Sequence, residues 1–225
     1  MPELPEVETT RRGITPLIQD RLLTRIEVRE PRLRWPVTDH LDKILRGQRL
    51  GSVGRRGKYL LLAFDHGTLI VHLGMSGSLR VLPAHTEPAK HDHLDLVFGQ
   101  HCLRLHDPRR FGAVLWTDAE VMQHQLLRHL GPEPLGPDFD GDWLHRAASK
   151  RRTAVKNLIM DGRVVVGVGN IYANESLFMA GIRPDRACNR ISRERYGWLA
   201  QCIRRVLTAA IAHGGTTLQD VQQPD

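Results

Sequence analysis

The first six residues place an unusual amine next to two carboxylic acids. Removal of the initiator Met1, which is normal before proline, would leave Pro2 with a free secondary amine. An α-amino group titrates near ~8 and a lysine side chain near ~10.4, so more of the former is neutral and able to form a Schiff base. Glu3 is adjacent and Glu6 lies one helical turn along, where carboxylates could transfer protons. The same residues also suit a plain helix start, and physics alone favours that simpler interpretation.

Three further segments suit contact with an anion or a nucleic acid. Residues 167–170 place two glycines and Asn170 before a helix, where the glycines allow close approach to a ligand and helix-start N–H groups bind anions, although Asn170 could simply cap the helix. Residues 107–112 set two arginines beside a phenylalanine at a loop tip, which suits insertion into a duplex or a solvated turn. Residues 72–77 form a similar loop, in which Met75 is either a second wedge or a core residue.

Potential metal ligands are sparse in the sequence. His91 and His93 would share one face of a strand, but no third or fourth ligand is evident, so contact with phosphate or a plain surface is the favoured interpretation. The three cysteines form no CxxC pair. They therefore predict neither a cysteine zinc site nor a disulfide framework, and they favour a reducing, cytoplasmic location.

The composition indicates a globular, basic protein. The chain has 225 residues, which leaves room for one large domain or two small ones, and it carries a formal net charge of +7. Its apolar share of 41% argues against a disordered tail protein. Arginine supplies most of the positive charge, in clusters that moderately favour a nucleic-acid partner over a merely basic surface. The longest apolar run, 59–64, is too short to span a membrane, and the acidic start predicts no secretory signal.

The first half of the sequence predicts β structure. Apolar runs at 59–64 and 68–73 flank a turn and predict a hairpin, and shorter runs follow at 79–82, 94–98, 103–105 and 113–116. Residues 93–96 alternate as a half-buried strand should, and the spacing of the runs favours a sandwich or barrel. A helix is predicted from Pro5 to about Ile14, where Gly13 would end or weaken it.

The second half of the sequence predicts helices. They are expected at 143–150, 153–160, 170–180 and 192–213, with Gly181 in the C-terminal capping position of the third. A proline-rich stretch precedes them. We therefore expect a β-rich domain over 1–118, a linker over 119–137 and a helical domain over 138–225.

Several segments, taken in order, resemble one family. The first nine residues, followed by Arg11-Arg12-Gly13, are similar to the start of the bacterial formamidopyrimidine-DNA glycosylases, which remove oxidised purines from DNA. The resemblance recurs at 32–36, 57–60, 72–77, 90–93, 107–112 and 166–175 and covers residues 1 to about 220. It implies an α+β fold: an N-terminal β-sandwich flanked by helices, then an all-α helix–two-turn–helix domain, with a DNA cleft between the two. Residues 4–8 favour the purine branch over the related endonuclease VIII group.

The resemblance implies catalytic roles for four residues. Pro2 would attack C1′ of the damaged nucleotide and form a Schiff base that displaces the base. Glu3 would be the general acid and base for sugar opening and β-elimination, and Glu6 would support the same pocket. Lys58 would donate a proton and contact phosphate.

The resemblance also implies a set of DNA contacts. The residues that would contact DNA, mainly its phosphates, are His72, His91, Arg109, Arg151, Lys156 and Asn170. Met75, Arg109 and Phe111 would fill the gap left by the flipped nucleotide, with Arg109 reaching toward the orphaned cytosine. Such wedges are needed because the glycosidic carbon is inaccessible inside the base stack.

One part of the family pattern is missing from the sequence. Complete members continue with a lesion-covering loop and a zinc finger of two CxxC pairs, whereas this sequence ends at Asp225 without those cysteines. We therefore expect a C-terminally truncated member with no cofactor in this chain, although zinc is expected in complete members. The expected partner is damaged double-stranded DNA, and the expected state is a cytoplasmic monomer without a membrane anchor.

Two functions from different classes remain open on this basis. The first is a bifunctional DNA glycosylase and AP lyase, which excises oxidised purines and cleaves the strand by β/δ-elimination. The alternative is a damaged-DNA-binding remnant with only AP-lyase activity or no turnover. A generic RNA-binding protein is disfavoured by Pro2, Glu3 and the wedge residues.

Overall fold

The computed structural model describes residues 2–215. Met1 and residues 216–225 lie outside this range. The predicted removal of Met1 and the predicted end of the helical domain at residue 225 therefore concern residues that are not described. The described chain divides into two compact units: one holds Pro2 and Val7–Leu127, and the other holds Glu3–Glu6 and residues 128–215. The predicted domain boundaries at 118 and 138 remain predictions. No helix within residues 2–215 has the length and apolar character that crossing a membrane requires.

The first unit contains two four-stranded antiparallel sheets. Their strands are β1 (Arg25–Val28), β2 (Leu50–Arg56), β3 (Tyr59–Phe64), β4 (Gly67–His72), β5 (Ser78–Pro83), β6 (Asp92–Phe98), β7 (His101–His106) and β8 (Ala113–Thr117). One sheet has the order β1-β6-β7-β5 and the other β2-β3-β4-β8. Alternate residues of β3 are buried, and side chains of both sheets share one apolar core, so the predicted sandwich is confirmed.

Two helices accompany these sheets. They are α1 (Leu4–Ile18) and α2 (Leu41–Leu45). The prediction that α1 ends near Ile14 is wrong, since the helix runs through Gly13 and includes Pro16. Ile14 and Ile18, one turn apart, are both buried, and this packing outweighs the helix-weakening effect of the glycine and proline.

The prediction that residues 93–96 form a half-buried strand is also wrong. All four are buried in β6, because the polar Asp95 has partners inside the protein. Its carboxylate accepts hydrogen bonds from both Arg29 (2.8 and 2.9 Å) and Arg104 (2.8 Å to each oxygen). Burial works to raise the pKa of Asp95, but the two guanidinium groups outweigh it and lower the pKa to about 2.

The second unit is helical. Its helices are α3 (Gly141–Ala148), α4 (Val155–Met160), α5 (Asn170–Ala180) and α6 (Arg193–Ala212), packed around one apolar core. The predicted bounds of α5 are confirmed, and Gly181 ends it in the left-handed conformation, as predicted. Helix α4 begins two residues later than predicted, because the preceding residues pair with another segment: Ala154 forms an antiparallel bridge with Ala187.

Candidate active site and nucleic-acid interface

Hydrogen bonds from backbone N–H groups hold residues 3 and 4 in place at the start of α1. The N–H of Glu3 donates to Oε2 of Glu6 at 2.9 Å, which is one half of a capping box, and the N–H of Leu4 donates to the carbonyl of Gly167 at 3.1 Å. The second oxygen of Glu6 accepts a hydrogen bond from the hydroxyl of the buried Tyr172 at 2.5 Å. Glu6, predicted to support the catalytic pocket, therefore holds the residue that follows Pro2.

The Glu3 side chain lies at the beginning of α5. Only 1% of Glu3 is exposed, and its carboxylate accepts hydrogen bonds from the N–H groups of Gly169 (2.7 Å), Ile171 (3.0 Å) and Tyr172 (3.4 Å). A carboxylate suits this position because a helix N-terminus carries partial positive charge. The predicted anion-binding character of this helix start is thus explained by Glu3, a residue of the same unit.

The two glycines of residues 167–169 make room for the N-terminal segment. A Cβ on Gly169 would lie 2.3 Å from Cδ of Glu3, and a Cβ on Gly167, whose φ is +83°, would lie 2.5 Å from Cδ1 of Leu4. Asn170 is not the cap of α5: Gly169 precedes the helix, and Asn170 is its exposed first residue. A phosphate contact by Asn170 therefore stays a prediction, whereas the glycines have a structural reason.

In the first unit, Asp107 joins the two predicted wedge loops. Asp107 is completely buried, and its carboxylate accepts hydrogen bonds from the Ser76 hydroxyl and from the Gly112 N–H, both at 2.8 Å. A Cβ on Gly74 would lie 2.4 Å from the carbonyl carbon of Phe111, so the loops are in close contact. Because two donors from different loops share one carboxylate, the loops form one rigid tip.

The three predicted wedge residues project from this tip. Met75 is 43% exposed and Phe111 39% exposed, which excludes the alternative that either is a core residue. The guanidinium carbon of Arg109 lies 4.8 Å from the centre of the Phe111 ring, in a cation–π arrangement. Beside them lies a groove, which is also lined by Arg32, Leu33, Arg34 and Arg110. A flat ring, a flexible thioether and arginines are suited to contact with unstacked bases and phosphates.

His72 and Lys58 lie near one another in the first unit. Burial, together with the charges of Lys58 and Arg34, lowers the pKa of His72 to about 4, so this imidazole is neutral at neutral pH. Its Nδ1 accepts a hydrogen bond from the Gly74 N–H at 3.0 Å, which assigns the remaining proton to Nε2. His72 therefore fixes one side of the Met75 loop and keeps an N–H donor for a phosphate. Lys58 is half-buried.

The paired histidines do not have the geometry predicted for a strand. His91 precedes β6 with a left-handed φ of +73°, so it does not share a strand face with His93, although their ring centres are 6.1 Å apart. Nε2 of the buried His93 is hydrogen bonded to the carbonyl of Asp107 at 2.9 Å, and the N–H of Asp107 donates to the carbonyl of His91 at 3.0 Å. The strained His91 is thus placed beside the wedge tip, and its contact with phosphate stays a prediction.

The remaining predicted DNA contacts belong to the second unit. Arg151 is exposed, and its guanidinium lies 3.3 Å from the Asp161 carboxylate. Lys156 is half-buried on α4, and its backbone N–H donates to the carbonyl of Pro184 at 3.2 Å. With Glu3, Glu6 and Asn170 they make five predicted site residues in this unit, whereas Pro2, Lys58, His72, Met75, His91, Arg109 and Phe111 belong to the first unit.

Two residues that organise the site were not predicted. Asp107 and Tyr172 position others, and their own spacing carries no chemical signature. The position of Asp107 before a proline and two arginines offered a weak turn signal, since aspartate often bonds to backbone N–H groups of a turn. The partner of Tyr172 is 166 residues away, so nothing in its sequence neighbourhood could have identified it.

A zinc ion, which the resemblance implies for complete family members, does not fit the residues present. Within residues 2–215 no group of three or more His, Cys, Asp or Glu side chains could hold a metal ion. The three cysteines are buried, and burial raises the pKa of Cys102 to about 11, whereas a metal ligand must be a thiolate. We therefore derive no step through a metal.

The chain is similar to proteins of known family and structure. Residues 1–114 match the model of the formamidopyrimidine-DNA glycosylase N-terminal domain, and residues 130–222 match the model of the formamidopyrimidine-DNA glycosylase H2TH domain. A formamidopyrimidine-DNA glycosylase of Methylococcus capsulatus is 62% identical over 98% of this chain and 82% of its own length. One from Thioalkalivibrio sulfidiphilus is 58% identical over 100% of this chain and 83% of its own length.

Solved structures give the same result. The Lactococcus lactis formamidopyrimidine-DNA glycosylase, non-covalently bound to DNA containing an AP site, superposes with a TM-score of 0.89 at 33% identity, over 95% of this chain and 83% of that one. A variant of the Lactococcus lactis protein, in complex with DNA containing Fapy-dG, superposes with a TM-score of 0.92 at 33% identity. That alignment covers 100% of this chain and 83% of the other.

Proposed function

Since this chain belongs to the formamidopyrimidine-DNA glycosylase family, we propose that it is a base excision repair enzyme, a DNA glycosylase with AP-lyase activity. Its proposed substrates are oxidised purines in duplex DNA, such as 8-oxoguanine and formamidopyrimidines. The observation that carries the proposal is the immobilised Glu3 carboxylate, held by three N–H groups directly after Pro2. A carboxylate fixed next to an N-terminal amine is the arrangement that Schiff-base chemistry with proton transfer needs.

The proposed reaction begins with the Pro2 nitrogen. Its lone pair attacks C1′ of the flipped nucleotide, and the bond from C1′ to the base breaks with its electrons going to the base, which takes a proton from water. The Glu3 carboxylate accepts the proton that the Pro2 nitrogen loses. Sugar-ring opening then gives an iminium between Pro2 and C1′, with Glu3 delivering the proton that O4′ needs. Loss of a C2′ proton expels the 3′ phosphate, and a second elimination expels the 5′ phosphate. Water releases Pro2 from the remaining sugar fragment.

Residues of the first unit would prepare the substrate for this reaction. Met75 and Phe111 would enter the stack and compensate for the few kcal/mol that unstacking costs. Arg109 would contact the unpaired base opposite the lesion. Lys58 and His72 would hold phosphate, with Lys58 also donating a proton. The exposed positions of the wedge residues on a rigid tip support this assignment.

Borohydride trapping tests the proposal. The purified chain is offered duplexes that carry either 8-oxoguanine opposite cytosine or an abasic site, and reduction of the iminium gives a stable adduct. We expect an adduct with both duplexes, mapped to Pro2. An adduct with the abasic duplex alone would reduce the function to a lyase, and none with either would refute the proposed chemistry.

Two variants assign the roles within the same assay. Pro2→Gly should lower trapping far more than it lowers the melting temperature, since only the reacting amine is changed. Glu3→Gln should keep DNA binding and lose excision. Equal losses of stability and trapping in Pro2→Gly, or excision retained in Glu3→Gln, would contradict the roles.

The proposed partner is damaged double-stranded DNA, bound by a monomer in the cytoplasm. The cysteines of the described chain are free and buried, which supports a reducing compartment. Light scattering of the protein with and without DNA tests the monomer, and cell fractionation tests the location.

A further inference from the structure

Two basic segments of the second unit are not explained by the proposed chemistry. Residues 150–161 contain four basic side chains and one acidic, and residues 183–190 contain three basic and one acidic. The basic residues are Lys150, Arg151, Arg152, Lys156, Arg183, Arg186 and Arg190. Only Arg151 and Lys156 have a predicted role, so most of this charge has no assigned partner.

Backbone hydrogen bonds bring the two segments together. The N–H of Val155 donates to the carbonyl of Arg186 at 2.8 Å, and the N–H of Cys188 donates to the carbonyl of Thr153 at 2.9 Å. Together with the bridge between Ala154 and Ala187, these bonds form a short antiparallel pair. The two basic segments are therefore neighbours in the fold, and we call their exposed basic side chains together the 150/183 surface.

The arginines of residues 183–190 surround an open groove. Its lining consists of Arg183, Asp185, Arg186, Ala187 and Arg190. The guanidinium of Arg183 makes a two-pronged contact with Asp185, at 2.7 and 3.1 Å, and these side chains are 83% and 64% exposed. An ion pair this exposed contributes little, so Arg183 can exchange Asp185 for another anion at small cost. Nη2 of Arg186 donates to the carbonyl of Arg190 at 3.4 Å, which leaves its other donors for a ligand.

We infer that the 150/183 surface binds the phosphate backbone of duplex DNA outside the damaged nucleotide. This inference rests on the proposed function, because it takes DNA as the partner. Planar guanidinium groups match the geometry of phosphate oxygens. The segment that lines the groove pairs through its backbone with the segment that carries Arg151 and Lys156, the predicted phosphate contacts. The side chains that line the groove include no aromatic ring on which a base could stack. The 150/183 surface therefore binds without regard to sequence and holds the protein on undamaged DNA.

The test compares two triple variants with equal loss of charge. R183S/R186S/R190S removes three arginines of the groove, and R21S/R25S/R46S removes three exposed arginines of the first unit. Affinity for an undamaged duplex of about 30 base pairs is measured over a range of salt concentrations. Each lost phosphate contact makes the slope of log K against log salt shallower by about 0.9, and it weakens binding on the order of tenfold at ~0.1 M salt. We expect the groove variant to lose about two to three in slope and the control to keep the wild-type slope.

A variant that is expected to bind DNA more tightly excludes unfolding as the explanation for weaker binding by the groove variant. Asp185→Asn removes the acid that occupies Arg183, so we expect tighter binding and a slope steeper by up to about one. Misfolding cannot produce tighter binding with a steeper salt dependence. Binding unchanged or weakened by Asp185→Asn would contradict the inference.

The outcomes separate this inference from the proposed chemistry. Binding to undamaged duplex needs no Schiff base, so failure of trapping in the wild-type chain together with the expected slopes would refute the chemistry alone. Equal slopes for the two triple variants would overturn the inference while trapping stands. Poly-glutamate is the second ligand, and a groove variant that loses poly-glutamate binding but keeps its DNA slope would show an acidic protein surface as the partner and overturn the inference as well.

Discussion

Replacement of Gly169 by alanine tests whether the position of the Glu3 carboxylate matters for the reaction. Gly169 has φ −118° and ψ −160°, an extended conformation that alanine adopts without strain. The only change is therefore the added methyl group. It would lie 2.3 Å from Cδ and 2.5 Å from Oε1 of Glu3. The variant thus displaces the carboxylate of Glu3, the proposed acid and base, without altering its chemical nature.

The magnitude follows from the contacts of Glu3. Ordinary van der Waals contact of a Cβ begins at 3.4 Å, so the carboxyl group must move by about 1 Å. The 2.7 Å hydrogen bond from the Gly169 N–H to Oε2 would then exceed the usual range for such a bond. A hydrogen bond to a charged group is worth about 1.5–3 kcal/mol. If the same misplacement raises the barrier by that amount, the reaction slows roughly 10- to 150-fold.

The assay is the rate of borohydride trapping on an abasic duplex, with protein in excess. Gly197→Ala is the matched control, because Gly197 lies within α6 and a Cβ there meets no atom within 4 Å. The control should trap at the wild-type rate and gain up to about 1 kcal/mol of stability. Gly169→Ala should bind DNA normally and trap slowly. Wild-type trapping by a folded Gly169→Ala protein would refute the argument that Glu3 must sit against α5.

Three further variants probe the supporting contacts. Tyr172→Phe removes the hydroxyl bound to Glu6, so the free energy of unfolding in urea should fall by about 1.5–3 kcal/mol; an unchanged value would deny that contact a role. Asp107→Ala leaves the donors of both wedge loops unpaired, so the preference for lesion-containing over undamaged duplex should fall, whereas Asp107→Asn, which still accepts from Gly112, should lose less; equal preference in all three proteins would argue against a rigid tip. The pKa of Glu8 in the folded protein is lowered to about 2, so its stabilisation, up to about 3 kcal/mol, is present above pH ~4.5 and is lost as the pH falls toward 2. Glu8→Gln should therefore be less stable than wild type at neutral pH and equally stable near pH 2, and a constant difference across urea titrations would contradict that linkage.

The prediction for Glu8 depends on a cluster of arginines around its carboxylate that the sequence predicts only in part. Burial works to raise the pKa of Glu8, but hydrogen bonds from Arg11, Arg12 and Arg55 outweigh it. Arg11 and Arg12 follow one helical turn along α1, and their pairing with Glu8 could be expected from i,i+3 and i,i+4 spacing. Arg55 comes from β2, 47 residues away, and no local pattern indicates it.

The elements that were predicted correctly are those with strong local signals. Strand β3 is an unbroken apolar run, and β4 has three consecutive buried apolar residues, Leu69, Ile70 and Val71. Helix α6 has an apolar stripe that begins after a serine cap. The elements that were missed have weak signals. Strand β1 is four residues long with one buried side chain, and β2 contains two glycines. Both form because neighbouring strands supply hydrogen bonds and a core to cover, which only the assembled sheet provides.

The candidate site residues could be predicted from the sequence, whereas their arrangement could not. Residue type alone left Pro2, Glu3 and the wedge loops open to simpler interpretations, and the resemblance to the family supplied their predicted roles. The sequence suggests Asn170 as the cap of α5, because asparagine favours that position. The observed partner of this helix start is a carboxylate 166 residues away. Contacts between residues so far apart in the sequence depend on the fold, and no local pattern of residue types predicts them.

The contacts of residues 3–6 answer a physical difficulty of using a chain terminus as a nucleophile. The first residues of a protein usually fray, and a mobile amine would lose the advantage of fixed orientation over a reactant in solution. Here the residue after Pro2 is fixed through its backbone by Glu6 and through its side chain by the N–H groups of Gly169, Ile171 and Tyr172 at the start of α5. The carboxylate that would transfer protons therefore also fixes the residue next to the proposed nucleophile. Substitutions of Glu3 consequently combine a chemical effect with a positional one, and only a change that moves the carboxylate while keeping it, as Gly169→Ala does, separates the two.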